Sequence, residues 1–303
     1  MRVPYEHIRH QGPVVAALGR VAWQLAARRL GVASAPLTSV PGPTYTAIVP
    51  PRDPQMVADF IRWAGGEPSA WRGRVPPHLF PQWGFPLLQR TLDGVQYPLG
   101  KVLNAGCRIE VRAPLPAKSP LHLSANLASI DDDGRRALLT QRLVTATPDG
   151  VEAMVAELRA LVPLGEKPKE TKKRTPTLVP VDARPLGGRR LPADAGLAFA
   201  CLTGDFNPIH WLQPYAAAAG FGRTILHGFG TLAIALERLR RTLWAGDPDL
   251  PAVVDVRFTK PLKLPAAPQV FVRDHEFFVG PAPGAPAWLT GAFALSPDEE
   301  IPS

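Results

Sequence analysis

The sequence is poor in cysteine, with only Cys107 and Cys201 in 303 residues. Two thiols exclude a multi-bridge disulfide scaffold and a cysteine-rich zinc site. Long apolar runs are lacking too. The most apolar stretch, Thr224 to Leu236, is broken by His227 and two glycines. It falls short of the roughly 20 apolar residues that cross a bilayer. The opening residues, MRVPYEHIRHQGP, carry charge with no apolar core behind it, which does not fit a secretory signal. These absences set the expectation of a cytoplasmic protein with no membrane span. Acids are the minority charge, 26 against 34 Lys and Arg, and the net +8 admits an anionic partner without naming one.

Proline is abundant. With 36 Pro and 26 Gly, the two make up about one fifth of the chain, still below the level of low-complexity sequence. The prolines argue against a long helical bundle, because each costs about 3 kcal/mol inside a helix. With 46% apolar and 20% charged residues there is material for packed cores, and the length predicts about two domains. Residues 165–190 read GEKPKETKKRTPTLVPVDARPLGGRR, with eight cations and three acids. Pro-rich, basic and without amphipathic period, the segment reads as a surface linker. It separates an N-terminal portion, 1–164, from a C-terminal portion, 191–303.

The two portions resemble each other. RVPPHLF (74–80) and RTILHGF (223–229) share Arg, His and Phe at the same spacing. Downstream, EVRAPL (110–115) can be set against RFTKPL (257–262), and upstream GGEP (65–68) against TGDF (203–206). The reading is a duplication. Apolar spacing predicts an amphipathic helix over Val14–Leu30 and a long buried helix over His227–Trp244, with Arg238, Arg240 and Arg241 in its later turns. The counterpart, His78–Leu92, contains Pro81 and Pro86 and should be shorter or kinked. Strands are expected at 44–49, 106–112, 121–130, 135–147, 151–162, 252–259, 268–278 and 286–295, with DDDG (131–134) as a hairpin turn. Each half is then a helical section followed by antiparallel strands, an α+β pattern.

Chemistry concentrates in FACLTGDFNPIH (199–210). Asn207 followed by Pro208 is a helix start: Asn is a preferred N-cap, and proline suits the first helical position. His210 falls in the first turn, Asp205 lies just before the cap, and Gly204 permits a sharp turn ahead of both. A carboxylate, an imidazole and outward-facing helix amides are the parts needed to add or remove water beside a carbonyl. Read singly, Asp205 serves as a cap, His210 as a packed histidine, and His227 merely sits at the start of the long helix.

The combined string resembles the signature of the MaoC-like hydratases, the hydratase 2 family: a small residue, Gly-Asp-x-Asn-Pro-aliphatic-His, five residues, then Ala. It is met by Thr203, Gly204, Asp205, Asn207, Pro208, Ile209, His210 and Ala216. GFGRTILHG (220–228) looks like the family's approach to its central helix, and the two-portion layout resembles its double hot-dog members. The resemblance implies a fold in which each half wraps a central helix with an antiparallel sheet. It implies (R)-specific hydration of trans-2-enoyl thioesters, or the reverse dehydration, with Asp205 and His210 as the catalytic pair and the Gly228 N–H on the thioester carbonyl. Gly204, Asn207 and Pro208 would support the site. The substrate would be an acyl-CoA or an acyl carrier protein thioester, with no further cofactor and no metal. Hot-dog halves pair their sheets, which a double hot-dog chain can do internally and still dimerise; a homodimer is expected, with a hetero-oligomer as the alternative. The family often has Asp-Pro shortly after the His, where this chain has Leu212 and Gln213.

Four other readings stand beside this one. A metal hydrolase would use Asp205, His210 and His227. A hot-dog thioesterase would release free thiol. A non-catalytic subunit would bind acyl thioesters or support a partner. Nucleic-acid binding would rest on Lys172, Lys173 and Arg174; a tract without interleaved aromatics favours a solvated linker instead, and no nucleic-acid partner is expected.

Overall fold

The structure, a computed structural model, describes residues 2–29, 39–99, 102–165, 175–299 and 301. Its frame is one ten-stranded sheet. The first half supplies β1 (Tyr45–Val49), β2 (Leu103–Val111), β3 (Leu121–Asp132), β4 (Arg136–Ala146) and β5 (Glu152–Pro163). The second supplies β6 (Arg184–Gly188), β7 (Val253–Phe258), β8 (Gln269–Arg273), β9 (Glu276–Gly280) and β10 (Leu289–Ala294). The order across the sheet is β1-β3-β4-β5-β2-β7-β10-β9-β8-β6. From the central β2–β7 seam outwards, each half places its second, fifth, fourth, third and first strand in the same sequence. Two halves with one topology, related by an approximate twofold through the seam, are what a duplication produces.

The helices are α1 (Gly12–Arg29), α2 (Pro54–Ala64), α3 (Pro81–Arg90), α4 (Ala195–Thr203), α5 (Gln213–Ala218) and α6 (Gly228–Leu243). The sheet wraps α3 with β1, β3 and β4, and α6 with β6, β8 and β10. Strand burial alternates where one face meets helices, as at Leu121, Leu123, Ala125 and Leu127 of β3. Equivalent aromatics meet across the twofold: Phe60 and Phe199 at 6.2 Å, and Phe80 and Phe229 edge to face at 5.4 Å. One apolar core therefore serves both halves.

Four expectations change. The 165–190 segment is not a linker throughout. Residues 166–174, with Lys172, Lys173 and Arg174, lie outside the described residues. Val179 is fully buried, however, and Arg184–Gly188 is an edge strand paired to β8. Pro185 is tolerated there because the register shifts between it and Gly187 at a sheet edge. The strand expected over 268–278 is two, β8 and β9, joined at Asp274, whose φ of 50° makes a tight turn. Helices α2 and α4 were not expected. Pro81 opens α3 instead of breaking it, and only Pro86 lies inside that ten-residue helix.

The seam depends on a glycine. Gly106 of β2 has φ +152° at a register shift, and a Cβ there would run into the Val256 carbonyl of β7. Gly106→Ala should therefore lower unfolding stability by about 1–3 kcal/mol. Denaturant titration checks this; an unchanged midpoint would mean that the seam adjusts freely.

Candidate functional site

The site is built where α4 ends, the 204–210 loop turns and α6 begins. Gly204 stops α4 in the left-handed region, φ +85°, with Val14 of α1 only 2.6 Å from where a Cβ would stand. The chain then folds on its own side chains. Asp205 Oδ1 accepts from the Asn207 N–H at 3.3 Å, and Asn207 Oδ1 accepts from the Ile209 N–H at 3.3 Å. Asn207 does act as the cap, but what it caps is a single 3-10 turn, Pro208–His210, and not the start of a continuous helix. The short helix α5 follows separately.

His210 is buried, and its Nδ1 lies 2.9 Å from the Ile225 carbonyl. A carbonyl only accepts, so Nδ1 carries the proton and Nε2 keeps its lone pair. Burial pulls the His210 pKa below the ordinary imidazole value, against the opposing pull of Asp205. His210 is thus held neutral.

His227 has contacts that its place in the sequence did not indicate. It precedes α6 as expected, but its ring does not cap the helix. It stacks on His210 with centroids 3.5 Å apart and planes 25° apart. Its other neighbour is Phe199, at 4.8 Å. Its Nε2 lies 2.9 Å from the Asp205 carbonyl and 3.8 Å from Asp205 Oδ2. Burial, then the neighbouring His210, hold its pKa well below the usual value. Histidine spacing alone could not reveal this, because Asp205 and His227 meet only through the fold.

Asp205, His210 and His227 offer donor atoms within 4.8 Å of one another, a grouping that can hold a metal ion. Two of the ring nitrogens are already committed, since His210 Nδ1 and His227 Nε2 both face backbone carbonyls. Gly228 opens α6 beside this group and packs under the Phe258 ring, 3.0 Å from where a Cβ would stand. A first-turn amide has no intrahelical acceptor and is available to an oxygen that gains negative charge.

The first half retains the scaffold and lacks the chemistry. Gly65 ends α2 at φ +92°, as Gly204 ends α4. Glu67 then caps a 3-10 turn, Pro68–Trp71, by accepting from the Ser69 N–H, as Asn207 does for Ile209. The first-half loop is one residue shorter between the helix-ending glycine and the cap; counted from the glycine Gly66 stands at the place of Asp205, and counted from the cap Ala70 stands at the place of His210. The space at Gly66 is filled from α6, where a Cβ would meet the Glu237 carboxylate. Glu237 accepts from Trp71 Nε1 at 2.9 Å and Arg240 Nη2 at 2.8 Å, with His78 Nε2 at 3.4 Å. Nothing in the sequence pattern singled out this cluster, because Glu237 belongs to the opposite half.

Residues 160–273 match the family model described as MaoC like domain. The chain is 33% identical over 175 residues to a Mycobacterium tuberculosis protein named enoyl-CoA hydratase ChsH3, covering 54% of this chain. It spans 58% of that relative's own length. Among solved structures it resembles HtdX from Mycobacterium tuberculosis, with TM-score 0.67, 21% identity, and 82% of this chain and 98% of that one covered. A second Mycobacterium tuberculosis structure, described as a double hotdog fold, matches with TM-score 0.54 and 13% identity over 84% of this chain and 96% of that one. The fold is a double hot-dog, as expected. Among the described residues no helix is long and apolar enough to cross a membrane.

Proposed function

We propose that this chain, a double hot-dog protein with a MaoC like domain, hydrates trans-2-enoyl thioesters to (R)-3-hydroxyacyl thioesters, or runs the reverse dehydration, in fatty-acid or related acyl metabolism. The observation that carries this reading is the neutral His210, its Nε2 left as the base, beside Asp205 and the first amide of α6. The relative named an enoyl-CoA hydratase supports it.

In the proposed mechanism a water molecule sits between Asp205 and His210. The Nε2 of His210 takes a proton from it as its oxygen bonds to the β-carbon. The electron pair of the double bond moves towards the thioester carbonyl, whose oxygen gains negative charge against the Gly228 N–H. The Asp205–His210 pair then delivers a proton to the α-carbon. One water is added across one double bond, so the reaction requires no redox group. The acyl group would arrive on CoA or on an acyl carrier protein. We assign the protein to the cytoplasm and to a homodimer as part of the same proposal.

The reading is tested with purified protein and enoyl-CoA thioesters of increasing chain length. Loss of the conjugated thioester absorbance without free thiol supports hydration. Free thiol with no hydrated product would make the site a thioesterase, and no turnover at any chain length would make it a binding module. Within the hydratase reading, Gly228→Pro removes the amide and should lower turnover by about 10²–10³. Gly228→Ala adds the same Cβ against Phe258 and keeps the N–H. Equal rates in the two variants would remove the amide from the mechanism.

A further inference from the structure

We propose that His227 is a positioning residue for the Asp205–His210 pair, a role that rests on the hydratase reading of the site. Its ring fills the space between Phe199 of α4 and His210, and its Nε2–H ties down the backbone of the loop that carries Asp205.

The geometry supports each part. His227 is 2% exposed and lies against rings on both sides, 3.5 Å from His210 and 4.8 Å from Phe199. The Asp205 carbonyl can only accept, so the 2.9 Å contact requires the proton on His227 Nε2. A neutral His227 in that tautomer therefore fixes the loop, and burial keeps it neutral. The same short approach, Ile225 to Gly228, also supplies the carbonyl that orients His210. A single rigid segment thereby sets the tautomer of His210, the place of Asp205 and the first amide of α6. The described titratable groups facing His210 are Asp205 from the loop and His227 itself; Phe199 from α4 and Ile225 are uncharged.

Two substitutions separate the two contributions. His227→Phe keeps a ring between Phe199 and His210 and loses the hydrogen bond. His227→Asn opens the space to water. The primary readout is the titration of His210 by NMR, which needs no substrate and so stands whether or not the hydratase reading does. In His227→Asn, water relieves the burial that depresses His210, and its titration should move up by roughly half a unit or more. In His227→Phe it should stay where it is in the wild type. If enoyl-CoA is turned over, both variants should lose about tenfold or more in kcat, because the Asp205 loop is no longer fixed. The acid limb of the kcat/KM profile should rise only in His227→Asn. Should either ring variant fold poorly, Phe199→Leu loosens the far face of the ring without touching the hydrogen bond. It should move His210 in the same direction by less. An unmoved His210 titration in both His227→Asn and Phe199→Leu, with only a lower melting temperature, would reduce His227 to a packing residue. A proven absence of hydration would overturn the reaction assignment and leave this titration result standing.

Discussion

Asp205→Asn should lower hydration of a trans-2-enoyl-CoA by about 10²–10⁴ while the protein unfolds at nearly the wild-type temperature. The Asp205 side chain is about a quarter exposed, and its Oδ1 accepts from the Asn207 N–H at 3.3 Å. Asparagine has the same shape and can still accept that bond. What it loses is a carboxylate beside a neutral imidazole. His210→Ala should show a loss of the same size, because it removes the nitrogen that takes the proton from water. It carries more structural risk, since His210 is buried against His227. Circular dichroism and a melting curve separate the two effects. Near-normal turnover in a folded Asp205→Asn or His210→Ala variant would end the proposed mechanism.

The second large effect concerns stability, and it lies in the half that lacks the pair. Glu237 is fully buried and Arg240 is 2% exposed. Burial alone would raise the Glu237 pKa, but His78 and Arg240 outweigh it and hold the carboxyl below its usual value. Removing the carboxylate strands a buried guanidinium, takes the acceptor from Trp71 Nε1 and leaves an unfilled space beside Gly66. Breaking a buried pair by deleting one partner costs about 3–5 kcal/mol, because the surviving charge stays desolvated. Glu237→Ala should therefore lose about that much in a denaturant titration. A loss below about 1 kcal/mol would mean that Arg240 reaches water or another acceptor when its partner goes.

This cluster bears on how the two halves divide the work. Gly65 and Gly204 end equivalent helices, and Glu67 and Asn207 cap equivalent turns. With Gly66 and Ala70 where the second half has Asp205 and His210, the first half has no carboxylate–imidazole pair at these places. Its vacated space is closed by a side chain from α6, which stitches the halves together through the core.

Parts of this were legible in the sequence for physical reasons. The Gly-Asp-x-Asn-Pro-x-His string is local, so the residues that turn the loop and the proposed proton-transfer pair lie within a few positions of one another. The long helix α6 showed its apolar face and its later arginines. The repeat RxxxHxF marked equivalent places in the two halves, and its phenylalanines, Phe80 and Phe229, meet edge to face near the twofold. The edge strand β6 was hidden because proline and basic residues read as linker, although a sheet edge accommodates both. Helix α2 had its signals in Asp53-Pro54 at the start and Gly65 at the end. The stacking of His227 on His210 was not legible. Its partners Phe199, Asp205 and His210 lie 17 to 28 residues before it and reach its ring only when α4, the loop and α6 have packed.

The central claim is that the second-half site adds water to an enoyl thioester with one facial sense. Chiral analysis of the product formed by the wild-type protein from a trans-2-enoyl-CoA tests it most directly. The account predicts the (R)-3-hydroxyacyl-CoA; an (S) product, or no hydrated product at any chain length, would contradict it.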